Sequence, residues 1–157
     1  VVLVWRSCHF FCFFEIRRVQ MKTGILVHGR HLQAEGWEKL VWGVPGEGKL
    51  GSLPMMVLIA LTVGIENIGA IVFGTGASEK DGLKEAEYTK RYILENMAKL
   101  GQFEKIAFHP HFQSRRDLVL LDNMCNAVIP EIRSKNTAEE VANAAEIFKN
   151  MGCGIVY

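Results

Sequence analysis

From Met21 onward the chain alternates short apolar runs with stretches of helical periodicity. Thr23–Val27 is apolar without alternation, the pattern of a strand buried on both faces. A polar, glycine-rich loop follows from His28 to Gly51. Leu53–Ile65 is apolar nearly all round and too long for a strand. It predicts a buried helix with Ser52 as N-cap and Pro54 in the first turn. Ile68–Phe73 predicts the second strand, and Gly74–Ser78 a tight turn. Leu83, Ala86, Ile93, Met97 and Leu100 form one stripe at helical spacing, with Glu85, Lys90, Arg91, Glu95 and Lys99 largely off it. That pattern predicts a helix over Leu83–Leu100, stopped by Gly101. Farther on, Lys105–His109 reads as a short strand, and Leu118–Met124 as either a strand or a helical turn. Ala127–Ile132 reads as a strand whose Pro130 demands an edge or a strand end. Thr137 and Glu140 make a T-x-x-E capping box, the cap alone worth about 1 kcal/mol. The predicted helix buries Val141, Ala144, Ala145, Phe148 and Met151 and ends at Gly152, and Gly154–Tyr157 begins another strand.

Strands alternating with helices call for a parallel sheet covered by helices on both faces. The predicted domain is 21–157, and its last residues open a strand, so the α/β domain is expected to be incomplete at its C-terminus. Residues 1–20 stand apart. Val1–Phe14 is apolar except for Arg6, Ser7 and His9. As a helix it reaches only about 21 Å against roughly 30 Å of bilayer hydrocarbon, and Arg6 adds a cost of about 3 kcal/mol. No stable membrane span is expected there, and no small-residue cleavage site marks a signal peptide. Met21 is the expected natural start, with residues 1–20 an upstream read-through; a short membrane-surface anchor is the rival reading.

The 157 residues suffice for one domain with a real core, and 49% apolar with 22% charged residues is a globular composition. The net charge of +1, with acids and bases interspersed, provides no basic stripe for nucleic acid. A bound anion must therefore be held by local geometry. Cys8, Cys12, Cys125 and Cys153 show neither a CxxC pair nor zinc-ligand spacing, which reads as idle thiols in a reducing, cytoplasmic compartment.

In parallel α/β sheets, ligands bind where strand ends meet helix starts, at free amides favoured by the helix dipole. Three segments should converge on that edge. In His28-Gly29-Arg30-His31, Gly29 permits close approach, Arg30 offers a planar fork for phosphate or carboxylate, and the histidines titrate near neutrality; the plain alternative is a solvated loop. Gly74-Thr75-Gly76-Ala77-Ser78 supplies an open turn and two hydroxyls, but neither a dinucleotide fingerprint nor a P-loop. It is either a cradle for a polar ligand or a structural turn. In Glu131-Ile132-Arg133-Ser134-Lys135-Asn136-Thr137, Ser134, Asn136 and Thr137 equally suit a turn and a helix cap. Glu85, in the first turn of its helix, is favoured by the dipole and could bind a ribose hydroxyl or an amine, or act as a base. Glu131 is the expected second carboxylate at the same edge, a pairing suited to sugar or nucleoside recognition.

These turns, in this order, resemble the SanA/ElyC/YdcF family. The turn Gly74-Thr75-Gly76 stands where the family has Ser-Gly-Gly, Glu85-Ala86 matches its EA dipeptide, and Glu131 to Thr137 matches its E-x-x-S-x-N-T motif completely. The resemblance covers about Lys22 to the end, and the last motif is the specific one. Glu139-Glu140 departs from the family's Glu-Asn, His109–Asn126 looks like an insertion, and the family's Thr-Ser turn with its His and Arg is absent. The resemblance implies a Rossmann-like fold, a role in the bacterial cell envelope, and S-adenosylmethionine as a ligand, as for one relative. On this reading the ligand-binding residues are His28, Gly29, Arg30, Gly74, Thr75, Gly76, Ser78, Glu85, Glu131, Ser134, Asn136 and Thr137.

Two functional classes follow: a domain that binds a small, nucleotide-like or phosphorylated molecule, and a non-catalytic envelope-biogenesis factor working through partners. His109-Pro110-His111, with Asp117 or Asp122, is a weaker metal-binding candidate because spacing supplies no third ligand. Trp37 and Trp42 either stack on a base or sugar, or pin their loop to the core. Ser78 is not in a G-x-S-x-G elbow, so a serine hydrolase is unsupported.

Overall fold

The computed structural model describes residues 21–156, and the expectations for residues 1–20 and Tyr157 lie outside the described residues. Strand β1 (Lys22–Val27) comes first. Helix α1 (Trp37–Val41) and a small antiparallel ladder, β2 (Gly43–Val44) and β3 (Lys49–Leu50), then fill the segment expected to be loop. Helix α2 (Ser52–Val63) leads to β4 (Ile68–Gly74), and a second ladder of β5 (Glu79–Lys80) and β6 (Leu83–Lys84) leads to α3 (Glu85–Asn96). Helices α4 (Glu104–Ala107) and α5 (Arg115–Asn126) precede β7 (Ile129–Glu131), α6 (Thr137–Asn150) and β8 (Cys153–Val156).

Strands β1, β4, β7 and β8 form one parallel sheet in the order β7-β4-β1-β8. Counted along the chain, the sheet strands run third, second, first, fourth, the order of a Rossmann-like half. Ile25, Val27, Ile71 and Phe73 point into the main core, with Leu53, Met56 and Val57 of α2 and Ile93 of α3. On the other face Ala70 and Val72 meet Ala144 and Phe148 of α6. Gly24 lies against the Phe148 ring: a Cβ there would fall 2.6 Å from it. The fold is thus α/β and Rossmann-like, with helices on both faces of a parallel sheet.

Several boundaries differ from the pattern-based expectations. Helix α2 is capped by Gly51, not Ser52. Gly51 packs so tightly on the Val41 and Trp42 backbone that a Cβ would collide there. Leu83 belongs to the β5–β6 ladder, α3 ends at Asn96, and Gly101 lies inside a 3-10 segment, Met97–Gln102, instead of stopping the helix. Lys105–His109 is not a strand: Phe103 and Ile106, three apart, are buried together, as a helical turn requires. Leu118–Met124 is helical within α5, where Ser114 accepts from the Asp117 amide and Leu121 and Cys125 are buried one turn apart. Pro130 does sit in an edge strand, although β7 is shorter than expected.

The cap of α6 is also shifted. Asn136, not Thr137, accepts from the Glu139 amide at 3.0 Å, and Glu139 accepts from the Lys135 amide at 2.8 Å. The buried stripe is Glu140, Ala144 and Phe148, four apart, and Val141, Ala145 and Met151 lie outside it. Phe148→Ala should therefore cost about 3–5 kcal/mol, the range for emptying a buried aromatic site. Val141→Ala, at a position 47% exposed, should cost under about 1 kcal/mol. Urea denaturation of both variants checks the buried face; a larger loss for Val141→Ala would contradict it.

Candidate functional site

The carboxyl ends of β1, β4 and β7 bring the three expected turns together. The Gly76 amide donates to the Ser134 carbonyl at 3.0 Å, as does the Thr75 hydroxyl at 2.8 Å. The Ser134 hydroxyl donates to Thr75 Oγ1 at 3.0 Å. On the other side the Thr75 carbonyl accepts from the Ala86 amide at 3.1 Å, joining the turn to α3. Two glycines make this approach possible. A Cβ on Gly76 would overlap the Ile132 carbonyl, and one on Gly29 would overlap the Thr75 methyl.

Glu85 is not a solvated residue at a helix start. It is 1% exposed, and its carboxylate accepts from the Arg30 amide, from the His31 amide at 2.8 Å and from the Ser78 hydroxyl at 2.7 Å. Ser78 Oγ in turn accepts from the Leu32 amide at 3.0 Å. The loop after β1 is therefore pinned by one side chain from α3, with His31 held at φ 49, in the left-handed region.

Glu131 does not stand beside Glu85 as its partner. Its carboxylate is taken up by its own turn, accepting from the amides of Arg133 at 2.8 Å and Ser134 at 3.2 Å and from Asn143 Nδ2 at 3.2 Å. The second carboxylate at the centre is Glu140 of α6, 3% exposed. It lies 3.3 Å from His28 Nδ1 and accepts from the Gly29 amide at 3.3 Å. A Cβ on Gly74 would collide with it. Burial pushes the Glu140 carboxyl up; the His28 charge, its hydrogen bond and the Gly29 amide pull it part of the way down, and the Glu85 charge raises it further.

The edge is thus less open than free amides would make it. The amides of Gly29, Arg30 and His31 are committed to Glu140 and Glu85, and those of Gly76, Ala77, Arg133 and Ser134 to other groups of the protein. Asn136 and Thr137 are exposed at the start of α6, where Asn136 acts as its cap. What faces solvent at the end of β1 is side-chain chemistry: His28, with 48% of its side chain exposed, and the exposed Arg30. Arg30 takes part in none of the ion pairs among the described residues. A cavity of about 240 Å³ opens next to both, walled by Leu26, Met55, Met56 and Ile59.

The remaining candidates resolve as follows. Trp37 and Trp42 are buried edge-on against Tyr88, Tyr92 and Phe103, pinning their loop to the core. His111 Nδ1 lies 3.0 Å from Asp117 Oδ2, and among the described residues no group of three side chains is placed to hold a metal ion. Burial pushes the Cys125 thiol up to about 12, so it is inert as a nucleophile. No described helix is long and apolar enough to cross a membrane. No protein-family model, no curated protein and no solved structure matches the chain.

Two site residues escaped the sequence reading, Glu140 and Asn143. The signal for Glu140 was its place four and eight residues before Ala144 and Phe148, on the stripe that faces the sheet.

Glu85→Ala strands three donors, the buried Ser78 hydroxyl and two part-buried amides; a buried orphan costs about 1–3 kcal/mol and a part-buried one less. It should lower unfolding stability by about 2 kcal/mol or more, and Glu85→Gln, which keeps an acceptor for the two amides, by clearly less. Equal losses in urea denaturation would contradict this bonding scheme. Glu140, raised in the folded state, binds protons more tightly there than in the unfolded chain. Its contribution is complete below the ordinary carboxylate range, near 4.5, and is lost as pH rises through its raised value. Glu140→Gln should flatten that decline when stability is compared across acidic to neutral pH; an unchanged slope would refute the assignment.

Proposed function

We propose that this chain is a domain of the SanA/ElyC/YdcF kind that binds a small anionic molecule, nucleotide-like or phosphorylated, at the carboxyl end of β1. The strand order carries the reading. Its direction reverses between β1 and β8, and open α/β sheets bind ligands outside the strand ends at such a switch point. His28 and Arg30 are the exposed groups there. Arg30 offers a fork matched to phosphate, and His28 lines the same cavity beside it. Because the neighbouring amides are occupied, the anion is held by side chains and not by a backbone cradle. Thr75, Ser78, Glu85, Glu131 and Ser134 then act as scaffold, and S-adenosylmethionine rests on the resemblance alone.

Calorimetry with inorganic phosphate, S-adenosylmethionine, nucleotides and sugar nucleotides tests the proposal. A phosphate-bearing ligand should bind, and Arg30→Ala should weaken it roughly tenfold or more, the worth of a lost charge-assisted hydrogen bond. Absence of heat with every compound at millimolar concentration would remove the reading.

A further inference from the structure

The binding reading leaves Glu140 without a task, although it is buried, faces an imidazole and belongs to no helix cap. Its Oε1 lies 3.3 Å from His28 Nδ1, and the Gly29 amide at 3.3 Å fixes the same oxygen from another side. With Nδ1 turned to the carboxylate, Nε2 is the ring nitrogen left to take a proton. A buried acid that orients a half-exposed imidazole is the arrangement that makes histidine an effective base. Arg30 stands two residues away, and the cavity of about 240 Å³ borders both side chains. The three features are independent: an oriented base, an anion receptor, and apolar room for the rest of a substrate.

We propose that His28 and Glu140 form a proton-transfer dyad that hydrolyses a phosphate ester held on Arg30, its apolar group lodged between Met55 and Ile59. The inference rests on the anion-binding reading above. In the step, a water oxygen bonds to phosphorus as the ester oxygen leaves it. His28 Nε2 takes the proton from that water and returns it to solvent, while the departing oxygen, in line on the far side of phosphorus, takes its proton from solvent, so the products are an alcohol and inorganic phosphate. His28 is the catalytic residue. Glu140 is a positioning residue, holding the ring and stabilising the imidazolium.

The test uses the full chain with phenyl phosphate, whose apolar ring suits the cavity beside Arg30, and follows phosphate release. Wild type should turn over. His28→Ala should lose roughly a hundredfold or more in kcat with KM within about threefold, and added imidazole should restore part of it. Glu140→Gln should lower kcat at unchanged KM, whereas Arg30→Ala should raise KM. Circular dichroism melting confirms that each variant is folded. Wild type that binds phosphate in an Arg30-dependent way but releases none from the ester overturns the dyad and leaves the binding reading standing. Neither binding nor turnover overturns both. A folded His28→Ala variant with wild-type kcat, or a folded Glu140→Gln variant with unchanged kcat, also overturns the dyad.

Discussion

A carboxylate taken out of water must find donors inside the protein, and the Glu85 side chain finds three. They come from two loops that share no local structure: the one after β1 and the one after β4. A single group on the first turn of α3 therefore fixes where the chain turns after its first strand. The glycines at 29 and 76 belong to the same arrangement, since the loops approach too closely for side chains there, and Gly74 makes room for the Glu140 carboxylate. What looks in the sequence like a nest of ligand-binding residues is, for the most part, the means by which the sheet edge satisfies itself.

The second face of the sheet ties fold and chemistry together differently. One stripe of α6 carries Phe148 and Ala144 into the core and Glu140 to the strand ends. The packing that seats the ring also sets the height at which the carboxylate meets His28. Register on this helix thus sets both the packing of the core and the contact between Glu140 and His28.

The long apolar runs made the sheet legible. Thr23–Val27 and Ile68–Phe73 are strands because both of their faces are covered, and α2 could be read from thirteen apolar-rich residues with a proline in the first turn. Residues 102–126 were opaque for a physical reason. Their apolar side chains come in short clusters, and the deciding signal, Ser114 followed by Asp117, is a cap and not a periodicity. The α6 cap was ambiguous because Asn136-x-x-Glu139 and Thr137-x-x-Glu140 are offset by a single residue and both fit the capping pattern. The three converging turns could be anticipated from topology, but no pattern in the chain reveals which amides an internal carboxylate has already claimed.

The short strand at the opposite border of the sheet has a consequence of its own. β7 contributes three residues, its central proline brings no amide, and Lys90 Nζ covers the Val128 carbonyl just before it at 2.8 Å. A neighbouring molecule in a crowded solution finds little there to zip onto, so intermolecular sheet growth, the first step toward fibrillar aggregates, is opposed on that flank by a missing amide and a lysine together.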